Sequence, residues 1–186
     1  MTNYPFRNPQ DHKDLEAVNY YNSVVELGGD ERAALAGLAK ISRDNARTPM
    51  QWDASANAGF SRGSPWIAVN PNYREINAAA AEADPDSVFH HYRRLVALRR
   101  SDPVVALGAY RELLPDDERV FAFTRTRGGQ ALLVLCNFSG AEALAGVPRA
   151  RDWAAAAVAL SNYAGAPALA DGGFRLRPWE AVALRR

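Results

Sequence analysis

A single cysteine, Cys136, is all that the 186 residues contain. No disulfide can form within the chain, and a reducing compartment is the expectation. Cys136 sits in the apolar run Leu132-Leu133-Val134-Leu135-Cys136 with no accompanying histidine pattern. It therefore reads as a small buried hydrophobe rather than a nucleophile. Long apolar runs are missing as well, and no stretch is long enough to span a bilayer. The opening Met-Thr-Asn-Tyr-Pro-Phe-Arg-Asn-Pro has no signal-type apolar core, so the expected location is cytoplasmic, with no membrane partner. Charge of one sign is not in excess either. With 22 Lys and Arg against 21 Asp and Glu, the net charge of +1 lacks the footprint of a nucleic-acid binder. The pairs Arg93-Arg94 and Arg99-Arg100 fall on a helical pattern and suit a solvated face. The histidines, His12, His90 and His91, lack metal-ligand spacing, and no cofactor is implied.

Apolar residues make up 48% of the chain and charged residues 23%, the profile of a folded globular protein. Leu15, Val18, Tyr21 and Val25 fall near helical spacing until Gly28-Gly29 stops them. Asp30 is placed to cap a second helix carrying Ala34, Leu35, Leu38 and Ile41. From Ser42 to Tyr73 periodicity disappears, and a loop of that length inside a compact domain is usually functional. Asp84 is read as the N-cap of a third helix, with Pro85 at its first position and Val88, Phe89, Tyr92, Leu95 and Val96 as its apolar stripe. Arg99 and Arg100 suit its last turn, and Pro103 stops it.

Beyond about residue 104 the pattern changes to short strands: 109–114, 119–127, 130–138, 155–160, 173–176 and 180–184. Arg127-Gly128-Gly129-Gln130 is a hairpin signal, because paired glycines permit the positive φ of a tight primed turn. Helices followed by strands predict two structural units, the second a small antiparallel sandwich.

The aperiodic segment Ser42-Arg43-Asp44-Asn45-Ala46-Arg47-Thr48-Pro49-Met50-Gln51-Trp52-Asp53 gathers arginines, carboxylates, amides and an indole. The arginines can pair Asp44 and Asp53 within the loop. They can equally present their planar forks to a ligand carboxylate or to neighbouring hydroxyls. The residue types alone leave both readings open.

The same segment closely resembles a signature of the oligo-1,6-glucosidase and α-glucosidase branch of glycoside hydrolase family 13. The resemblance continues through Asn57-Ala58-Gly59-Phe60-Ser61, Pro65-Trp66-Ile67, Val69-Asn70-Pro71-Asn72-Tyr73 and Asp86-Ser87-Val88-Phe89. It extends to Val134-Leu135-Cys136-Asn137-Phe138-Ser139 and to the closing Arg177-Pro178-Trp179-Glu180-Ala181. It implies an α+β chain: the closing helices and the eighth βα loop of a (β/α)8 barrel over residues 1–104, then an all-β antiparallel sandwich, domain C, over 105–186. Met1-Thr2-Asn3 looks like the tail of the motif that follows the last barrel strand.

The resemblance implies that the nucleophile, the acid/base and a third catalytic aspartate belong to earlier barrel strands, which no segment here resembles. No catalytic residue is therefore expected in this chain. Arg43 matches the family arginine that contacts the sugar in the terminal subsite and pairs with a barrel carboxylate. Asp44, Arg47, Gln51 and Trp52 are expected to hold the loop in shape. Trp66 and Trp179 suit either sugar stacking or packing, and burial in packing is the reading adopted. The implied partners are a missing N-terminal barrel and a gluco-oligosaccharide bound by the complete enzyme, an α-glucosidase acting on α-1,6 or α-1,4 bonds. A non-catalytic subunit completing a separately encoded barrel, or a carbohydrate-binding β domain, are the alternatives.

Overall fold

The computed structural model describes residues 2–170 and 172–186. Met1, and with it the start of the expected Met1-Thr2-Asn3 motif, lies outside the described residues. The chain divides into two compact units, Met1–His90 and His91–Arg186.

The first unit opens with helices α1 (Leu15–Glu26) and α2 (Glu31–Ile41). Gly28 takes the left-handed φ of +68° that ends α1. Gly29 donates its N–H to Val24 O at 2.8 Å, and a Cβ there would lie 2.9 Å from the Val24 side chain. Two glycines are thus required for two different reasons, one dihedral and one steric. Asp30 caps α2 as expected, its carboxylate accepting from Ala33 N–H at 2.9 Å. The apolar stripe of α1 behaves differently from its sequence pattern. Leu15 and Val25 are exposed and only Ala17 is buried.

Residues 42–77 contain three 3-10 turns, Arg43–Ala46, Ala56–Gly59 and Pro71–Arg74. A short helix α3 (Ala78–Ala83) follows, one that no sequence signal had marked. Its first turn is capped from three places. Asn77 Oδ1 accepts from Ala80 N–H, while Gln51 O and Trp52 O accept from Ala78 and Ala79 N–H.

Helix α4 (Val88–Ser101) runs across the division between the units. It starts later than the sequence suggested, so the assignment of Asp84 as its N-cap is corrected. Asp84 ends α3 and accepts from Asp86 N–H, and Ser87 Oγ accepts from His90 N–H at 3.4 Å in the capping position. A serine adjacent to the first helical residue outcompetes an aspartate three positions earlier. Val88, Phe89, Tyr92 and Leu95 on α4 are exposed.

Among the described residues of the second unit, α5 (Pro103–Leu107) leads into eight strands: β1 (Ala109–Glu112), β2 (Val120–Arg127), β3 (Gln130–Asn137), β4 (Ala143–Ala145), β5 (Ala157–Ser161), β6 (Ala168–Ala170), β7 (Gly173–Leu176) and β8 (Ala181–Arg185). They form a five-stranded sheet of order β1-β2-β3-β8-β5 and a three-stranded sheet of order β4-β7-β6, with every pairing antiparallel. Gly128 and Gly129, at φ +57° and +79°, close the predicted β2–β3 hairpin. The three-residue strands β4 and β6 carry alanines at their ends, a composition without strand preference, and no local pattern marks them.

One buried cluster joins the two sheets. Val120, Ala122, Leu133, Leu135, Val182 and Leu184 come from the larger sheet, and Ala143, Ala145, Phe174 and Leu176 from the smaller, with Trp153 closing the edge. The register sets Leu133 against Leu184 and Leu135 against Val182, so alternate residues of β3 and β8 enter the core together. Glu180, fully buried, ends the last loop. Its carboxylate accepts from Arg177 Nη2 (2.6 Å), Nε (3.0 Å) and N–H (2.7 Å). Asp102 caps α5 through Val104 N–H and takes Arg185 Nε at 2.6 Å, tying that helix to β8.

Leu133 is fully enclosed at the centre of this core. Leu133→Ala should lower stability by about 2–5 kcal/mol. Urea denaturation followed by the near-ultraviolet signal of Trp153 reads this directly. A change under about 1 kcal/mol would contradict the placement of Leu133.

Candidate functional site

The aperiodic segment is organised around one carboxylate, that of Asp44. Ser42 ends α2, and its hydroxyl accepts from Asp44 N–H at 3.2 Å, which starts the turn Arg43–Ala46 and directs the Asp44 side chain inward. Asp44 is fully buried. Its Oδ2 accepts from Lys13 N–H at 2.6 Å and Asp14 N–H at 2.9 Å, while Oδ1 takes Arg47 Nη1 at 3.1 Å. Burial alone would raise its pKa. The two backbone donors and the guanidinium outweigh that and hold it below the ordinary 3.8.

Asp14, itself buried, is a second carboxylate that no local sequence signal singles out. It accepts from Arg43 Nη2 at 2.6 Å and Nε at 3.1 Å, a two-point pairing, and lies 3.7 Å from Arg47 Nη1. The bond to Arg43 is the main reason its pKa is lowered, and the same bond raises that of Arg43. Both arginines of the motif therefore converge on Asp14. Arg43 remains 60% exposed, with Glu16 at 3.4 Å on its outer side. It lines a cleft of about 380 Å³ between α1 and α2 with Tyr20, Leu38 and Ile41.

His12 packs beside this pair, its ring stacked on Phe6 at 4.3 Å and its Nδ1 3.7 Å from Asp44 Oδ2. Neither ring nitrogen of this buried side chain makes a hydrogen bond among the described residues. His90 Nε2 lies 2.9 Å from Glu82 O.

Several expectations are corrected by this geometry. Pairing of the arginines with both Asp44 and Asp53 is only half realised. Arg47 takes Asp44, Arg43 takes Asp14, and Asp53 accepts from the N–H and hydroxyl of Ser55. Loop-internal pairing is favoured by sequence proximity, yet Asp14 wins because α1 and α2 bring it alongside. Gln51 does brace the segment, being buried and donating from Nε2 to Asn72 Oδ1 and Ile76 O. Trp66 and Trp179, expected to be buried, are 67% and 61% exposed. Both follow a proline in an irregular segment, so neither belongs to a helical or strand face that could bury it.

Asp44→Ala would leave the N–H group of Lys13, the buried N–H of Asp14 and one bond of Arg47 without an acceptor. Each orphaned donor costs about 1–3 kcal/mol. A clear drop in melting temperature at pH 7 is expected. The pH dependence has a definite sign. Asp14 and Asp44 are both depressed below 3.8 in the fold, so their contribution is complete above about pH 4 and is lost as the pH falls through their lowered values. Melting curves from pH 6 to pH 2.5 should show a steeper acid loss in wild type than in Asp44→Ala. Parallel curves would show that Asp44 does not organise the segment.

Comparison with known proteins gives the site its context. The family described as Alpha amylase, catalytic domain, matches residues 11–108. An oligo-1,6-glucosidase of Parageobacillus thermoglucosidasius is 43% identical over 182 residues, covering 97% of this chain and 32% of that protein. A trehalose-6-phosphate hydrolase of Bacillus subtilis (strain 168) is 41% identical, covering all of this chain and 33% of the other. Among solved structures, a Bacillus licheniformis trehalose-6-phosphate hydrolase superposes with a TM-score of 0.91 at 37% identity, covering 100% of this chain and 34% of that one. The trehalulose synthase of Pseudomonas mesoacidophila MX-45 superposes at 0.87 with 39% identity. The chain thus spans about a third of the length of the relatives it matches. With the Asp44-centred segment inside the matched region and more than half of its residues covered, the chain belongs to the alpha-amylase family.

Proposed function

We propose that this chain is the C-terminal part of a retaining α-glucosidase that hydrolyses terminal α-1,6 or α-1,4 bonds of short gluco-oligosaccharides. The observation that carries the reading is the 43% identity to an oligo-1,6-glucosidase over 97% of the chain. In this reading residues 1–104 are the last βα loop and closing helices of a (β/α)8 barrel and residues 105–186 are domain C. The preceding barrel is the partner that covers α4, whose exposed Val88, Phe89, Tyr92 and Leu95 form a face suited to helix packing. A cytoplasmic location goes with it, supported by the single unpaired cysteine.

Retaining hydrolysis needs a nucleophile and an acid/base carboxyl about 5–5.5 Å apart across the scissile bond. Within residues 42–53, Asp44 is committed to three donors and Asp53 to Ser55. In this reading the reacting pair belongs to the barrel strands, as the resemblance to the family implies. Arg43 is the residue we assign to the sugar. Its guanidinium is oriented by Asp14, and the planar fork suits two adjacent hydroxyls. Arg47 braces the buried Asp44 and acts on stability.

The 186-residue chain alone should release no glucose from isomaltose or aryl α-glucosides. Steady turnover by pure protein, abolished by changing one of its own carboxylates, would overturn the reading. In the complete enzyme, Arg43→Ala should lower kcat/KM by about ten- to hundredfold, the equivalent of one lost charge-assisted bond. Arg43→Lys should restore little, and Arg47→Ala should mainly lower the melting temperature. Near-normal kcat/KM in Arg43→Ala would remove Arg43 from the sugar site.

A further inference from the structure

The segment 65–69 packs near residues 4–13 and Asn57 to leave an open cavity of about 500 Å³ that the arginine cluster does not touch. Its wall carries Tyr4, Phe6, Asp11, Lys13, Asn57 and Trp66. The volume is in the range that holds a small ligand, about 300–1,000 Å³. The combination of a broad indole with a carboxylate, an ammonium and a carboxamide suits one chemical class. A pyranose presents an apolar face of C–H groups bordered by hydroxyls, so it needs a flat apolar surface and both donors and acceptors at its edge.

The wall is held in place by its own contacts. Tyr4 and Phe6 pack ring against ring at 4.8 Å, and Phe6 stacks on the buried His12. Tyr4 N–H is fixed by Asn45 Oδ1 at 3.0 Å, which ties this wall to the family motif. Lys13 Nζ donates to Gln10 O at 2.9 Å, and Lys13 N–H is clamped by Asp44.

Asn57 has the least ordinary backbone of the set. It and Ala58 take left-handed φ values of +51° and +56°, followed by Gly59 at +67°. Consecutive left-handed residues are costly, and such a cost is characteristic of positions that serve a ligand. Ala58 is fully buried, and its carbonyl accepts from Trp52 and Asp53 N–H, which holds the turn. The Asn57 Nδ2 is spent on Ser61 O (3.1 Å) and Gly63 O (3.0 Å). The carboxamide oxygen is then the group left to accept a hydroxyl.

We infer that the cavity between Trp66 and residues 4–13 is a binding site for the glucose units of an oligosaccharide, with Trp66 as the stacking surface and Asn57, Asp11 and Lys13 as hydroxyl partners. The choice of glucose units rests on the proposed function, whereas the location rests on the cavity alone.

The test is titration of the 186-residue chain with isomaltotriose, followed by the indole N–H resonances of its tryptophans in two-dimensional NMR. The Trp66 resonance should shift with a dissociation constant on the order of 1 mM. Trp66→Ala should weaken binding by at least about tenfold, equivalent to 1.4 kcal/mol, whereas Trp66→Tyr should keep most of it. Trp66 is exposed, so neither change should unfold the protein, and the remaining indole signals report this in the same spectra. Trp179→Ala, at an exposed indole of the second unit, should bind as wild type. Absence of any shift at tens of millimolar sugar, equal affinity in Trp66→Ala, or loss of binding in Trp179→Ala instead would overturn the inference. None of these outcomes depends on hydrolysis, so failure of this site and failure of the α-glucosidase reading are separable.

Discussion

The buried carboxylate of Asp44 is the constraint on which the first unit depends. Its two oxygens gather the chain before α1, through Lys13 and Asp14 N–H, and the chain after α2, through Arg47. An aperiodic segment has few ladder hydrogen bonds of its own, so a buried charge that needs several donors can supply the missing order. The donors lower the pKa despite burial, which keeps the group ionised and the arrangement in place. Arg43 and Asp14 then follow as a consequence. The clamp on Asp14 N–H sets the start of α1, and its carboxylate is thereby presented to the arginine that begins the next turn.

The second unit is stabilised by different means. Apolar residues of β2, β3, β4, β7 and β8 close one core, and the buried polar side chains of Asn137 and Glu180 are satisfied internally. Asn137, buried at the end of β3, donates to Ala141 O and Arg177 O and accepts from Ser139 N–H and Oγ. Together with the Arg177–Glu180 pair it fixes the loop that carries Trp179 at φ +57°. Both ends of the motif Asn137-Phe138-Ser139 and of Arg177-Pro178-Trp179-Glu180 are thus structural. The side chains between them that remain exposed are Phe138 and Trp179.

Family membership and activity stand on different footings in this chain. The match to the alpha-amylase family rests on a segment whose residues are present and engaged. The chemistry of the family needs two free, closely opposed carboxyl groups. The buried carboxylates described here, Asp14, Asp44 and Glu180, each face an arginine at hydrogen-bond distance. Paired in this way they are held ionised and oriented, which suits positioning and not proton transfer.

The sequence by itself determined the order of helices and then strands, the Gly28-Gly29 and Gly128-Gly129 turns, the Asp30 cap and the strands of the larger sheet. Each of these is written in local spacing or in a residue's own dihedral range, and needs no knowledge of distant contacts. It also marked residues 42–53 as the segment of interest, because their composition is unlike any helix or strand. Tertiary structure alone decided the rest. Asp14 and Arg43 are 29 positions apart, and only the α1–α2 pairing makes them partners. Strands β4 and β6 exist because β7 lies between them with an unpaired edge on each side, not because their alanines favour extended chain. Burial of Trp66 and Trp179 was the natural expectation from their size. Their exposure depends on which elements pack nearby, a property of the assembled surface that no local pattern encodes.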